Sequence, residues 1–516
     1  MIWLTEITQT LEFEKSCIQL GQRMTSGFIG KLGFRYQWYN RLLGSRPAIH
    51  EEAKRAAREM GLDKFNGQLG LSTTSSSCPA PLAKYVWDAL AEARKKRVLP
   101  IRIVENELRD IVKEAFGDDY DGVVTNTCES ALRIAFETLV APPIMARGST
   151  YRARFIAPYG HDDEFMAGYG RPFPPKYKNL WSDRSVSAGE TGVEAKTLAN
   201  LDAIIVKLIG ARYEVHGINF NTCALLADVN PEKSAARIEE VALRHIDNLA
   251  GFETIGHDIP GFGYGAKDEK GVPRLQRQIG KLAEKYDVPY ILDAAVGVPI
   301  IGTHPRDVNA TVMMWSFDKA VHAITSGLMV GREEDMGPIR KALGLHGERT
   351  GTLSSHGKAA FSFADPGRDA VISQIAVLRT LTSQPKLITD PIDRMYSITQ
   401  EEFSRLEPSW LREVLLITKS YHCGSVEIDY EHTWQKDKFG IPIFSGEDMF
   451  TNTDLIMSSL GEMGVYPPPI YDGTILITPG MGDTDEDGNF IEENMRLSIR
   501  ALARSIEIVC KYAGLT

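Results

Sequence analysis

The chain has 516 residues, 43% of them hydrophobic, and a formal net charge of -10 at pH 7. A chain of this length and apolar content can bury a large core and is expected to form two or more domains. The negative charge argues against a broad surface for nucleic acid or acidic membranes, since clustered Lys and Arg hold such partners, so a small molecule is the expected partner.

Residues 1–70 mix aromatic and basic side chains with one predicted helix near 49–60, and we interpret them as an N-terminal arm. After the arm, the pattern alternates between helices and short apolar strands. The predicted helices cover 81–97, 103–116, 129–140, 231–249 and 273–286, and the predicted strands cover 121–125, 154–158, 203–207, 222–227, 289–293 and 310–316. This alternation predicts an α/β fold, with a mostly parallel sheet flanked by helices on both faces.

Gly, Pro and aromatic residues are concentrated between about 162 and 200, and we interpret this stretch as an insertion, such as an active-site flap. A long helix near 366–382 leads into a smaller α+β domain that ends in an amphipathic helix at 490–512. The predicted organisation is therefore an arm at 1–70, a large domain at 71–365 and a small C-terminal domain at 366–516.

The six cysteines are scattered without a Cys-x-x-Cys pair, which fits neither a disulfide framework nor a structural zinc site. A reducing cytoplasm is the simplest interpretation. The first residues lack a basic segment followed by an apolar one, and no apolar run approaches the roughly 18 residues of a membrane span. We therefore expect a cytoplasmic protein that is neither exported nor inserted into a membrane.

The stretch Val123–Leu132 runs from a predicted strand, through small hydroxyl and amide side chains, into a predicted helix. Backbone N–H groups and the helix dipole at such a helix start can bind a phosphate, with Thr125, Asn126 and Thr127 as the expected contacts. A simple capped helix explains Thr or Asn before Glu129 equally well, so both interpretations stay open.

An acid and a lysine lie at or just beyond the ends of two predicted strands. Asp293 ends the apolar run Tyr290–Asp293, and Lys319 lies 26 residues further on, at the end of Ser316–Lys319. Ligands bind at the carboxyl ends of strands in sheets of this kind. The pair suits pyridoxal phosphate, because a lysine can hold this cofactor as an imine and an acid can keep its pyridine nitrogen protonated. Taken alone, either residue could be ordinary strand-end or surface charge.

His161 follows the predicted strand 154–158 and could stack on the ring of such a cofactor, although a solvated loop histidine is an equally good interpretation. His161, Asp162 and Asp163 could also be metal ligands. Consecutive residues rarely converge on one ion, however, and no matching histidine pair on a helix accompanies them. We therefore expect no metal site.

The order of these parts resembles the fold-type-I pyridoxal-phosphate superfamily, also called the aspartate aminotransferase superfamily, over roughly residues 75–380. The likeness is nearest to the branch of cysteine desulfurases and class-V aminotransferases, with group II decarboxylases as neighbours. It implies that Ser316 and the cup at Thr125–Thr127 bind phosphate, that Asp293 pairs with the pyridine nitrogen, and that Lys319 carries the imine.

The loop Gly347–Thr352 completes the resemblance. In that branch an Arg-x-Gly-Thr loop reaches the phosphate of the other subunit. The resemblance therefore implies that Arg349 and Thr352 serve a homodimer with shared active sites.

Several departures from the family pattern bear on the reaction. Asp318 stands where this branch usually has histidine, and Val296 stands where a glutamine often contacts the cofactor's phenolic oxygen. The strand near 474–480 lacks the arginine that binds the substrate carboxylate in many relatives, which makes Arg349 an alternative. Cys423 is the candidate for a mobile, sulfur-accepting cysteine, and a buried structural thiol is the competing interpretation.

We expect an enzyme that acts on an amino acid through an external aldimine and a carbanion, in a lyase or desulfurase-like reaction. Amino-acid decarboxylation and transamination are the alternatives. A hypothesis of another class is a non-catalytic, tRNA-associated binding protein that keeps the cofactor fold. The basic and aromatic arm supports it, but the acidic residues of the arm and the lack of a helix-turn-helix pattern count against it.

Overall fold

The computed structural model describes residues 42, 44–72, 82–96, 101–140, 154–156, 231–244, 246–256, 266–345, 364–430, 455–468, 470–471 and 474–515. Two large hydrophobic cores organise these residues: the first is built between residues 86 and 381, and the second joins residues 42–71 to residues 395–513. No helix in the described ranges is both long and apolar enough to cross a bilayer.

The strands are β1 (Leu69–Gly70), β2 (Tyr120–Thr125), β3 (Arg154–Ile156), β4 (Leu249–Ile255), β5 (Tyr290–Asp293), β6 (Val312–Ser316), β7 (Gly327–Arg332), β8 (Leu416–Ser420), β9 (Ser425–Asp429), β10 (Val465–Tyr466), β11 (Ile470–Tyr471) and β12 (Thr474–Ile477). The α-helices are α1 (Arg46–Met60), α2 (Lys84–Lys95), α3 (Ile101–Phe116), α4 (Cys128–Ala135), α5 (Pro231–Arg244), α6 (Arg274–Tyr286), α7 (Glu333–Ala342), α8 (Arg368–Ser383), α9 (Lys386–Phe403), α10 (Trp410–Val414), α11 (Leu455–Glu462) and α12 (Glu492–Tyr512).

The first core surrounds a six-stranded sheet with the order β2-β7-β6-β5-β4-β3. Strands β3 to β6 pair in parallel, whereas β7 is antiparallel to both of its neighbours. Every residue of β5 and β6 is buried, as expected for strands that are covered on both faces. Helices α3, α4, α6 and α7 pack against this sheet, so the predicted α/β fold with a mostly parallel sheet is confirmed.

The second core combines the C-terminal residues with the described part of the predicted arm. Its main sheet is antiparallel, with the order β11-β12-β9-β8, and β1 pairs in parallel with β10. Helix α1 packs against α11 and α12, and Glu52 on α1 accepts hydrogen bonds from Lys511 Nζ at 2.8 and 2.9 Å. Residues 44–70 are therefore part of the C-terminal core.

Two strands of the large sheet differ from the sequence-based expectation. Strand β4 starts at Leu249, where the predicted helix was to end, and β7 was not predicted. Glu253 interrupts the apolar pattern of β4, and two glycines weaken the strand signal of β7. The predicted strands 203–207 and 222–227 and the insertion 162–200 lie outside the described residues.

A close approach between α6 and the loop before β6 gives a test of this packing. A Cβ added at Gly280 would lie 1.8 Å from Val308 O, so the helix or the loop would have to move. We expect Gly280→Ala to lower the free energy of unfolding, measured by urea denaturation, by about 1–3 kcal/mol or more. Gly461→Ala on α11 is the control, because its Cβ would meet no described atom within 4 Å. Equal stability of the two variants would contradict the packing described.

Candidate functional site

Asp293 is the last residue of β5 and is almost completely buried, with 5% of its surface exposed. Its Oδ1 accepts a hydrogen bond from the N–H of Ala295 at 3.0 Å. Asp293 pairs with Ile255 of β4 on one side and with Met314 of β6 on the other. The acid therefore lies on a central strand, at the carboxyl-terminal ends of the parallel strands, where ligands usually bind.

The loop after β6 brings Lys319 to the same edge. Ser316, the last residue of β6, donates its N–H to Ala295 O at 3.3 Å, which ties this loop to the loop after Asp293. The Ser316 hydroxyl also donates to the Asp318 carboxylate. On the other side, His322 N–H donates to Lys319 O at 3.3 Å. The turn is thus fixed by hydrogen bonds, and the Lys319 side chain is partly exposed.

The thiol of Cys128 interacts with both the predicted acid and the predicted lysine. Cys128 begins α4, and its S–H donates to Asp293 Oδ1, with 3.8 Å between sulfur and oxygen. Asp293, Lys319 and Asp318 all interact electrostatically with this buried thiol. Burial, followed by the charge of Asp293, raises the pKa of Cys128 well above its usual range. The thiol therefore stays protonated and is a hydrogen-bond donor rather than a nucleophile.

The turn from β2 into α4 is the predicted phosphate cup. Thr127 is the N-cap of α4, and its hydroxyl accepts from Ser130 N–H at 3.0 Å. The Thr125 hydroxyl donates to Thr127 O at 2.8 Å, and Asn126 N–H donates to Ala364 O at 3.0 Å. The hydroxyls of both threonines therefore form hydrogen bonds within the turn. Thr127 is the N-cap of the helix, as the capped-helix interpretation of this stretch predicted.

Gly327 allows this turn to approach β7 closely. A Cβ added there would lie 2.6 Å from Thr127 O and 2.7 Å from Thr125 Oγ1, so a larger residue would displace the turn. Because α4 begins at Cys128, the positive end of its dipole lies beside Asp293 and Lys319. A helix start at this place can attract an anion.

The described site residues predicted from the sequence lie at one edge of the large sheet: Thr125, Asn126, Thr127, Asp293, Ser316 and Lys319. His161, Arg349 and Thr352 lie outside the described residues, so their roles stay predictions. In the described part of the chain, no group of three or more His, Cys, Asp or Glu side chains could hold a metal ion.

Glu253 is a further buried carboxyl near Asp293 that the sequence analysis did not identify. It lies on β4 and pairs with Ile291, two positions before Asp293 on the neighbouring strand. It is fully buried, and neither of its carboxyl oxygens has a hydrogen-bond partner among the described residues. Burial, with a smaller contribution from Asp293, raises the pKa of Glu253 well above its usual range. An acid within an apolar run was the available signal.

Cys423 is fully buried in a small apolar cluster with Val296 and Leu476. Its backbone N–H donates to Ser420 Oγ at 3.0 Å. Cysteine desulfurases need a mobile and accessible thiol, and the environment of Cys423 is that of a structural thiol instead. Cys423 is therefore a poor sulfur acceptor in this conformation.

No protein-family model and no curated protein sequence matches the chain. Among solved structures, it is similar to an adenosylmethionine-8-amino-7-oxononanoate aminotransferase from Methanocaldococcus jannaschii, with 14% identity, a TM-score of 0.47, and coverage of 84% of this chain and 88% of that chain. An ornithine aminotransferase from Toxoplasma gondii, described with partial occupancy of PLP at its active site, has 17% identity, a TM-score of 0.45 and coverage of 86% of both chains.

A chain from the complex of SepCysS with the N-terminal domain of SepCysE is a third similar structure. It has 12% identity, a TM-score of 0.45, and coverage of 86% of this chain and 95% of that chain. Likenesses at this level do not identify a substrate or a reaction.

The residues at this edge fit pyridoxal phosphate in their chemistry. The cofactor needs an amine, a carboxylate and an anion-binding group, and Lys319, Asp293 and the start of α4 would supply them. The buried thiol of Cys128 donates a hydrogen bond to Asp293 and interacts electrostatically with Lys319. The three elements therefore belong to one region rather than to separate parts of the protein.

The buried Glu253 predicts a pH-dependent stability. Because its folded-state pKa is raised above the ordinary value of 4.5, the wild type loses stability as pH rises from that value through the folded-state pKa. We expect Glu253→Gln to increase Tm at pH 8 and to change it little at pH 4. Thermal denaturation across this pH range measures the difference.

The exposed Glu269→Gln is the matched control and should leave the pH dependence of Tm unchanged. A Glu253→Gln variant with the same Tm difference at both pH values would show that Glu253 does not ionise on this scale.

Proposed function

We propose that this protein is a pyridoxal-phosphate-dependent enzyme that acts on an amino acid. The observation that carries the proposal is that the Cys128 thiol, at the start of α4, donates to Asp293 and also interacts electrostatically with Lys319. When bound, the cofactor supplies an electron sink for the bonds at the substrate's α carbon. The surrounding side chains determine how it is held and where protons move.

Asp293 would hold a proton on the pyridine nitrogen. Its Oδ1 already accepts hydrogen bonds from the N–H of Ala295 and the S–H of Cys128, so the carboxylate is oriented before the cofactor arrives. Such preorganisation reduces the rearrangement needed when positive charge appears next to the carboxylate. Loss of one hydrogen bond to a charged group would cost about 1.5–3 kcal/mol.

Lys319 would join the cofactor covalently through Nζ and would later move a proton at the α carbon of the substrate. The hydrogen-bonded turn after β6 fixes its backbone, while its partly exposed side chain keeps access to a substrate. The start of α4 and Ser316 would bind the phosphate, and His161 would stack on the ring. Arg349 is the proposed contact for the substrate carboxylate.

For the reaction type we propose a lyase reaction that cleaves a β substituent or the Cα–Cβ bond, with decarboxylation and transamination as alternatives. Incubation with a panel of amino acids distinguishes them by product. Ammonia and a keto acid indicate loss of a β substituent, an amine with carbon dioxide indicates decarboxylation, and transfer of the amino group to a keto acid indicates transamination. Because Cys423 is buried, a desulfurase mechanism would need another sulfur acceptor.

Covalent attachment to Lys319 is the central test of this function. The purified protein should show an absorption band near the visible edge, and borohydride reduction followed by peptide mapping should place the reduced adduct on Lys319. Lys319→Ala should lose the band, the adduct and turnover with every amino acid tested, because the amine has no substitute at this turn.

Lys281→Ala, at an exposed position of α6, is the matched control and should keep all three properties. An adduct on a different lysine, or a wild-type protein without the band after reconstitution with pyridoxal phosphate, would refute the proposed function.

We also propose a homodimer in which Arg349 and Thr352 of one copy serve the site of the other. The Lys319→Ala protein, which is inactive alone, and the Thr352→Ala protein, which is weakly active alone, should then recover activity when they are unfolded and refolded together. Random pairing would restore one intact site in half of the dimers, or about a quarter of wild-type activity. Failure to recover activity, although mixed dimers form, would show that each copy builds its site alone.

A further inference from the structure

A turn from the C-terminal domain reaches the large sheet close to Asp293. It comprises residues 421–424 and connects β8 to β9. The turn is anchored in its own domain, because the Tyr421 hydroxyl donates to Asp393 of α9 at 2.5 Å. Gly424 has a positive φ of 61°, a conformation that favours glycine and reverses the chain sharply. The turn that carries His422 toward the large sheet is therefore held in place by its own domain.

The His422 side chain is buried and forms two hydrogen bonds with the backbone of the large domain. Thr303 N–H donates to Nδ1 at 2.8 Å, so Nδ1 is the unprotonated nitrogen. Nε2 then carries the ring proton and donates it to Gly256 O, just after the end of β4. One imidazole thus joins the end of β4 to the loop that follows β5.

These contacts continue to Asp293 through the backbone. Gly256 N–H donates to Asp293 O at 2.5 Å, so the residue whose carbonyl accepts from His422 is also hydrogen-bonded to the backbone of the acid. On the loop side, Val298 N–H donates to His422 O at 2.7 Å. The same loop supplies Ala295 N–H, which orients the Asp293 carboxylate. His422 is therefore connected to Asp293 by two routes, through Gly256 at the end of β4 and through the loop that follows β5.

Close packing leaves this arrangement little freedom. A Cβ added at Gly302 would lie 2.5 Å from His422 Nδ1. A Cβ added at Gly424 would lie 2.9 Å from Val298 Cγ2 and 3.1 Å from the Cβ of Ala320, the residue after Lys319. The turn therefore contacts the chain beside the lysine as well as the loop after the acid.

We propose that His422 is a positioning residue: from the C-terminal domain, it fixes the strand end and the loop that orient the Asp293 carboxylate. This inference rests on the proposed function, because the quantity that His422 controls is the contact between Asp293 and the pyridine nitrogen. His422 contacts neither substrate nor cofactor in this role. A displaced turn would leave Asp293 present but misaligned.

The test compares full-length holoproteins carrying His422→Gln, His422→Asn and His422→Ala. The asparagine side-chain oxygen can accept from Thr303 N–H in place of Nδ1, but its amide does not reach Gly256 O. The glutamine amide can donate to Gly256 O in place of Nε2, but it leaves Thr303 N–H without the acceptor. The measured quantities are the pH midpoint of the cofactor's absorption band and the dissociation constant for pyridoxal phosphate, with Asp293→Asn as the reference for a lost contact.

We expect every His422 variant to move the pH midpoint in the same direction as Asp293→Asn, with His422→Ala showing the largest shift of the three. Pyridoxal phosphate should bind about three- to tenfold more weakly to His422→Ala, as expected for the loss of hydrogen bonds that hold the site. The single-contact variants should lie between wild type and alanine.

Gly302→Ala provides a second route that keeps the histidine but displaces its ring, and it should reproduce the shift of the pH midpoint. Gly461→Ala, with no described atom within 4 Å of its new Cβ, is the matched control and should behave as wild type. Gly302→Ala also covers the case in which His422→Ala does not fold.

The outcomes separate the two proposals. If wild type carries the Lys319 adduct but folded His422 and Gly302 variants keep its pH midpoint and cofactor affinity, the positioning role is wrong and the proposed function stands. Lower thermal stability with unchanged cofactor properties would likewise overturn the positioning role, because it would reduce His422 to a domain contact. A wild-type protein without the adduct would overturn both proposals.

Discussion

The candidate site depends on one buried carboxylate at the end of a central strand. Burial of a carboxylate is unfavourable unless hydrogen-bond donors compensate, and Asp293 accepts from Ala295 N–H and Cys128 S–H. The raised pKa values of Cys128 and Glu253 favour their neutral forms, which limits the negative charge that gathers around Asp293. A carboxylate held in this way is suited to stabilising a cation bound against it.

Distant parts of the chain contribute to the surroundings of this carboxylate. The large sheet and its helices supply the strand, the helix start and the lysine turn, whereas the short turn between β8 and β9 supplies His422. Part of the predicted arm, including α1, packs into the second core, which also contains β8 and β9 on either side of that turn. A change in domain packing would therefore reach the site through backbone hydrogen bonds rather than through the reacting groups.

Elements with a strong local signal were predictable from the sequence, whereas strands whose residues oppose strand formation were not. Strands β5 and β6 are continuous apolar runs with clear ends, and Thr127 is a local cap, so their positions followed from nearby residues. Strand β4 carries a buried acid and β7 carries two glycines, and both features oppose strand propensity. Packing of helices on both faces of the large sheet overrides these strand propensities. A local sequence pattern does not contain that packing.

By itself, the sequence determined the α/β order of the large domain and placed Asp293 and Lys319 at strand ends, because periodicity and strand termination are local properties. Tertiary structure alone decided that Cys128 donates to an acid 165 residues away and that His422 reaches Gly256 across 166 residues. It also decided that Glu253 is buried without a partner among the described residues. Such contacts depend on how helices and domains pack onto the sheet, and no spacing of nearby residues encodes that packing.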